Sequence, residues 1–205
     1  MKLKLTNSLG ILPKKSLTLD PGLTVLIGCN GAGKTTLLQE IKERCSVKKT
    51  CRVALFSQQA SGGTNELARR VFTDTLRAGE FLCMSEGERI YEVISNFAIE
   101  IGNIIRSLDD KVKDVVLLFD AIDSGLSLDQ IASFKKFLLW FLKQDRKKDS
   151  RNYYVVTTSN TFAMCRSMHS LDVTTFKTHL ITDYDVFADL IKETRKRKDK
   201  RKIKV

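Results

Sequence analysis

No apolar run in the 205 residues approaches the ~18 that a membrane-crossing helix needs. The opening MKLKLTNSLG lacks the long apolar stretch of a secretion signal. The five cysteines (Cys29, Cys45, Cys51, Cys83, Cys165) form no C-x-x-C pair, and so odd and scattered a set points to a reducing compartment and ordinary thiols. There is no internal repeat and no low-complexity linker, and residues 1–27 contain no Phe, Tyr or Trp. These absences lead us to expect a soluble, cytoplasmic chain with no membrane segment. Apolar residues make up 42% of it, enough at this length for one domain with a real core.

What is abundant is positive charge. The net +11 is concentrated: residues 192–204 hold nine Lys/Arg and two acids, a local +7, and KQDRKKDSR (143–151) is a second basic cluster. A solvated helix end and a solvated loop would explain both. Contact with nucleic acid phosphates is the sharper alternative. We divide the chain into one domain over 1–190 and a basic C-terminal tail over 191–205 without order of its own.

Short strands are expected at KLKLTN, SLTL and LTVLIG before residue 28, with LPKK and DPG as turns. A helix follows over 33–44, a strand at RVALFS (52–57), a polar loop over 58–65 and a helix over 66–77. A long helix from Ser85 to Leu108 carries Ile90, Val93, Ile94, Phe97, Ile101, Ile104, Ile105 and Leu108 at helical spacing. VVLLFD (115–120) is continuously apolar, as a strand buried on both faces would be. Helix 127–143, strand YYVVTT (153–158), a short helix, two short strands near 170–182 and a basic helix complete the chain. The alternation predicts an α/β fold: a central, mostly parallel sheet with flanking helices and an antiparallel β section.

GCNGAGKT (28–35) fits G-x-x-x-x-G-K-[ST] between a strand and a helix, the context that gives this motif its meaning. Its glycines let backbone wrap closely around phosphates. The amides of Asn30, Gly31, Ala32, Gly33, Lys34 and Thr35 are expected to point inward at a helix N-terminus. Lys34 would reach the β- and γ-phosphates, the Thr35 hydroxyl would bind Mg²⁺, and Thr36 would lie near the α-phosphate. Asp120, closing an apolar strand, would supply the carboxylate for the metal, directly or through water. A turn or cap role would also explain an Asp there. In CMSEGERI (83–90), Ser85 and Glu88 form the S-x-x-E of a capping box, which leaves Gly87 in the first turn unexplained. Close approach of another group would explain it, making exposed amides under a serine hydroxyl a second anion site.

Taken in order, the phosphate loop, a Gln after a strand (Gln58 or Gln59), MSEGE, VVLLFD and DSGLS (123–127) resemble the ATP-binding cassette (ABC) ATPases over roughly residues 1–165. The resemblance implies a P-loop NTPase fold of ABC type, ATP and Mg²⁺ as cofactors, and a head-to-tail homodimer formed on ATP binding. Ser85, Glu86, Gly87 and Glu88 would then act in trans on the γ-phosphate bound by the other copy. Asp123 and Ser124 would lie near the dimer seam, and Gln58 or Gln59 would join Thr35 and Asp120 around the metal, with Gln59 near the nucleotide. The absent upstream aromatic and the mere 25 or so residues between Gln and MSEGE argue against a transporter subunit. The start, MKLKLTNSLGILPKKSLTLDPGLTVLIGCNGAGKTTLL, looks more like heads of the SMC and RecF type, without the coiled coil those often carry. SEGE, DAIDSGLS and the SN after the next strand are similar to small stand-alone ABC ATPases of phage and mobile elements.

Two departures shape the functional expectation. Ala121 stands where that family has its catalytic Glu, and Asn160, not His, follows YYVVTT as a candidate γ-phosphate sensor or simply a helix cap. A general base supplies roughly 10²–10⁴ in rate. Three explanations stay open: another acid (Asp123, or Glu86 or Glu88 of the second copy) positions water; the protein binds ATP and hydrolyses it poorly; or a Glu→Ala substitution has been made to trap ATP. The expected catalytic set is Lys34, Asp120 and Asp123. We expect a slow ATPase linked to DNA recombination, repair or phage DNA metabolism, with DNA bound through the basic tail. The alternative is a hydrolysis-poor, ATP-gated dimerisation switch that recruits a protein partner.

Overall fold

The computed structural model describes residues 1–6, 10–57, 101–103, 105–123, 126–148 and 150–202, together with Ser85, Glu92, Ser95 and Ile99. The expected helix at 66–77, the loop at 58–65 and most of the 83–90 segment lie outside these residues. Among them are Gln58, Gln59, Glu86, Gly87, Glu88 and Ser124.

The chain opens with an antiparallel pair, β1 (Lys2–Lys4) and β2 (Ser16–Thr18), in which Leu3 lies opposite Leu17. Each strand buries only that central leucine, the period-2 pattern of a strand with one face on the core. There follow β3 (Gly22–Ile27), α1 (Lys34–Ser46), β4 (Cys51–Ser57) and β5 (Asp114–Asp120). The remainder is α2 (Leu128–Lys148), β6 (Asn152–Thr158), α3 (Phe162–Cys165), β7 (Met168–Asp172), β8 (Lys177–Ile181) and α4 (Tyr184–Lys202). Strands β3 to β8 form one sheet in the order β4-β5-β6-β3-β7-β8; all neighbours are parallel except β7 and β8. The molecule is therefore α/β with a mostly parallel six-stranded sheet and flanking helices.

Period-2 alternation sends successive side chains of the central strands into two cores. Val25, Ile27, Val115, Leu117, Phe119, Tyr153 and Val155 face one side, where Ile131, Phe134, Leu138 and Leu142 of α2 pack against them at helical spacing. Phe119 meets Phe134 edge-on at 5.3 Å between ring centroids. Leu26, Val116, Leu118, Tyr154 and Val156 face the other side, against Leu37, Leu38 and Ile41 of α1 and the leucines of β1 and β2. Each such side chain contributes roughly 1.5–3 kcal/mol when fully buried, which is why VVLLFD needs no polar positions. Helix α2 begins with half of a capping box, the Ser127 N–H donating to Gln130 Oε1 at 3.0 Å. It runs to Lys148, beyond the expected residue 143. Of the expected long helix, Glu92, Ser95, Ile99 and residues 101–103, 105 and 106 are helical; Ile101 is buried and Ile105 and Leu108 pack on the α2 side. Among the described residues, no helix is long and apolar enough to cross a membrane.

The C-terminus departs from expectation. Residues 191–202 are not a tail without order; they continue α4. The reason is that several of its cations face inward and find partners. Below Phe187 and Leu190, the helix buries Thr194 completely. The Arg197 guanidinium donates to Asp172 Oδ2 at 2.9 Å, and Asp172 is fully buried at the end of β7. Arg201 donates to the Thr174 carbonyl at 2.7 Å and to the Ile11 carbonyl. Charge alone did not reveal this, because inward and outward cations look alike in composition.

Removing a partner from a buried carboxylate costs more than removing a surface ion pair. Arg197→Ala is expected to lower the unfolding free energy by about 1–3 kcal/mol, read from urea denaturation. Lys196→Ala, one residue away but exposed and paired only with Glu193, is expected to leave the midpoint unchanged.

Candidate functional site

In the sheet, β5, β6 and β3 are adjacent and parallel, so their carboxyl ends open on one edge. Open α/β sheets bind ligands at such carboxyl edges. The three segments leaving these strands carry most of the residues singled out above. A cleft of about 400 Å³ lies between them. Asn30, Gly31, Gly33, Lys34, Thr35 and Thr36 line one side, Asp120 and Ala121 the end of β5, Thr158 and Asn160 the end of β6, and Ile11 the rim.

The Gly-rich loop is shaped by its surroundings. Gly33 caps α1 at φ 105°, and a Cβ there would stand 2.8 Å from Ile11 Cγ2, so both conformation and space demand glycine. Lys34, first residue of α1, turns its ammonium back into the loop and donates to the Gly28 carbonyl at 2.7 Å and more weakly to that of Cys29. Burial lowers its pKa from the ordinary 10.5, opposed first by the charge of Asp123 and then by those of Cys29 and Asp120. The sign follows: with a folded pKa below the unfolded one, the buried ammonium costs stability at neutral pH, and the cost is relieved as pH rises through the lowered value towards 10.5. An anion entering the cleft would offset the same cost.

The expected cradle of inward amides needs one correction. The Ala32 N–H donates to the Cys29 carbonyl at 3.0 Å, and the Ala32 side chain packs in the core beside Leu26. Ala32 does not line the cleft.

Opposite the loop, Asp120 is buried and held by two hydroxyls. Thr35 Oγ1 donates to its Oδ1 at 3.2 Å and Thr158 Oγ1 to the same oxygen at 3.0 Å. Thr158 Oγ1 in turn accepts the Ala121 N–H at 2.7 Å. Ala121 has φ 55°, the left-handed region that a non-glycine residue occupies at a cost of about 1–2 kcal/mol; its hydrogen bond to Thr158 helps hold it there. Thr35 and Asp120 thus present two hard oxygen ligands side by side, a pair suited to a divalent cation completed by water and phosphate oxygens. Among the described residues, no group of three or more His, Cys, Asp or Glu could hold a metal without such help.

Asp123 is placed otherwise than its catalytic expectation requires. It is buried and does not line the cleft. Its Oδ2 accepts the Ser159 hydroxyl at 2.9 Å and the Asn160 N–H, while Oδ1 has no hydrogen-bond partner among the described residues. Asp123 therefore supports the segment that carries Asn160, and the exposed Asn160 reaches the cleft. Ser85 is exposed, non-helical and absent from the cleft wall. Two residues escaped the sequence: Thr158 and Ile11. A hydroxyl closing an apolar strand was the available signal for Thr158. Nothing local distinguished Ile11, which reaches the site through tertiary packing.

No protein-family model matches the chain, and no curated protein matches it at a significant level.

The Thr158 hydroxyl holds both Asp120 and the Ala121 amide. Thr158→Val removes both bonds in a buried setting and is expected to destabilise the fold by about 1–3 kcal/mol in urea denaturation. Thr158→Ser, which keeps the hydroxyl, should recover most of the loss.

Proposed function

We propose that the chain is an ATP-binding head of the ABC ATPase type that takes Mg²⁺–ATP in the cleft, dimerises head to tail on it, and hydrolyses it slowly. The observation that carries this is the facing arrangement of the Lys34 loop and the Thr35–Asp120–Thr158 cluster across a single cleft. The loop amides and the Lys34 ammonium would bind the phosphates. The Thr35 hydroxyl and the Asp120 carboxylate would hold the metal, which would neutralise phosphate charge when bound. Ile11, on the rim, offers an apolar contact in a region of the chain without aromatics.

Ala121 brings no carboxylate to the cleft, and Asp123 lies behind the wall. A turnover of roughly 10⁻³ to 10⁻¹ s⁻¹ follows from a typical enzyme that has lost its base. The same observation favours the second reading, an ATP-gated dimerisation switch for a protein partner. A role in DNA recombination, repair or phage DNA metabolism rests on the resemblance and on basic charge. With Arg197 and Arg201 engaged inward, the exposed cations among the described side chains of α4 are Lys192, Arg195, Lys196 and Lys200.

Phosphate release by the purified protein, compared with Lys34→Ala, tests the enzymatic reading: equal rates would end it. Ala121→Glu is expected to raise the rate by about 10²–10⁴. Light scattering with ATP, ADP and neither separates the switch, since a mass independent of nucleotide removes both readings that need a dimer. If the four exposed cations of α4 contact DNA, log K against log salt should slope near roughly −4, and replacing all four with Gln should flatten it.

A further inference from the structure

Helix α4 touches three consecutive residues of the Gly-rich loop. Thr194 Oγ1, fully buried, accepts the Cys29 N–H at 2.9 Å. Lys198 Nζ donates to the Asn30 carbonyl at 2.9 Å. Gly31 allows this approach: it has φ 73°, and a Cβ there would stand 3.3 Å from Lys198 Nζ. Neither Thr194 nor Lys198 lines the cleft.

A trans peptide is planar, with its C=O and N–H pointing in opposite directions. Each of these bonds therefore orients a whole peptide unit. Where Thr194 takes the Cys29 N–H outward, the Gly28 carbonyl of the same unit points inward, and it is the one that receives the Lys34 ammonium at 2.7 Å. Where Lys198 draws the Asn30 carbonyl outward, the Gly31 N–H of the same unit points away from α4, towards the concave side of the loop. The ammonium also polarises that peptide, making its N–H a stronger donor to an anion. Thr194 itself is set by its hydroxyl donating to the Ile191 carbonyl at 2.8 Å, which leaves its lone pairs for Cys29.

We infer that Thr194 and Lys198 are positioning residues for the anion site: from α4, outside the cleft, they orient the Gly28–Cys29 and Asn30–Gly31 peptides so that the loop meets a nucleoside polyphosphate with Lys34 and the Gly31 amide correctly aimed. The inference rests on the phosphate-binding reading proposed above. It also makes deletion of residues 192–205 a poor probe of nucleic acid binding, because the deletion removes the support of the loop along with the surface charge.

The test compares wild type, Lys198→Met, Lys198→Arg and Thr194→Val by calorimetric titration with Mg²⁺–ATP, with urea midpoints measured in parallel. Lys198→Met should weaken binding roughly 3- to 10-fold at an unchanged midpoint. Lys198→Arg, which retains a donor, should bind within about 2-fold of wild type. Thr194→Val should weaken binding further. Unchanged affinity in Lys198→Met, or a loss that Lys198→Arg does not repair, overturns the inference. If wild type binds no Mg²⁺–ATP, the phosphate-binding reading fails, and amide exchange in the nucleotide-free protein decides the positioning. Faster exchange at residues 29–31 in Lys198→Met, with the sheet unaffected, supports it; an unchanged rate overturns it.

Discussion

The parallel register of β5, β6 and β3 is the constraint on which the rest depends. With Phe119 beside Thr157, and Leu26 beside Thr158, the three strands end at nearly one level. That level is where the apolar demand of the two cores stops and polar side chains become tolerable. Asp120 and Thr158 lie at these strand ends, close enough to bond and still shielded from water. A slip of one residue in β6 would send Thr158 to the other face of the sheet and put Thr157 or Ser159 beside Asp120 in its place. The packing of Val155 and Tyr153 on one side and Val156 and Tyr154 on the other resists that slip. The polar geometry of the cleft is thus secured by apolar burial several residues away.

Buried charge is the second theme, handled differently at two places. Asp172 at the end of β7 is fully satisfied: Thr174 and Thr175 hydroxyls, the Thr174 amide and Arg197 all donate to it. It is a structural anchor, tying the β7–β8 turn to α4. The cleft is left less complete. Among the described residues, Lys34 is bonded to loop carbonyls alone, its charge disfavoured by burial, and behind the cleft wall Asp123 keeps one oxygen without a hydrogen-bond partner. Such incompletely compensated groups are destabilising unless something else completes them, and their concentration at one edge marks that edge as the place where a ligand would contribute most.

Much of this was legible in the sequence, for physical reasons that differ by element. The continuous run at 115–120 and the helical spacing of Ile131, Phe134 and Leu138 report directly on burial, so sheet and helices followed from pattern. GCNGAGKT was legible because left-handed and crowded positions accept little but glycine. The placement of Asp123 was not legible: spacing along the chain says nothing about which side of a cleft wall a carboxylate occupies. Thr158 and Ile11 depend on strand register and on packing between distant segments. The docking of α4 was hidden for a related reason. Arg197 and Arg201 look like surface charge until Asp172, Thr174 and Ile11 are brought beneath them by the fold.

Ala121 connects these themes. Its backbone, not its side chain, makes the contact that matters locally: the left-handed turn delivers the 121 amide to Thr158, and the Thr158 hydroxyl donates a hydrogen bond to Asp120. The oxygen pair formed by Thr35 and Asp120 therefore owes nothing to the side chain at 121. In this architecture the apparatus suited to holding a metal and phosphates is separable from any group that would activate water. A methyl at 121 leaves the first intact and contributes nothing to the second. Under the nucleotide-binding reading proposed above, binding with slow turnover is what such a division would favour, because binding energy would be spent on substrate and transition state alike rather than on the transition state alone.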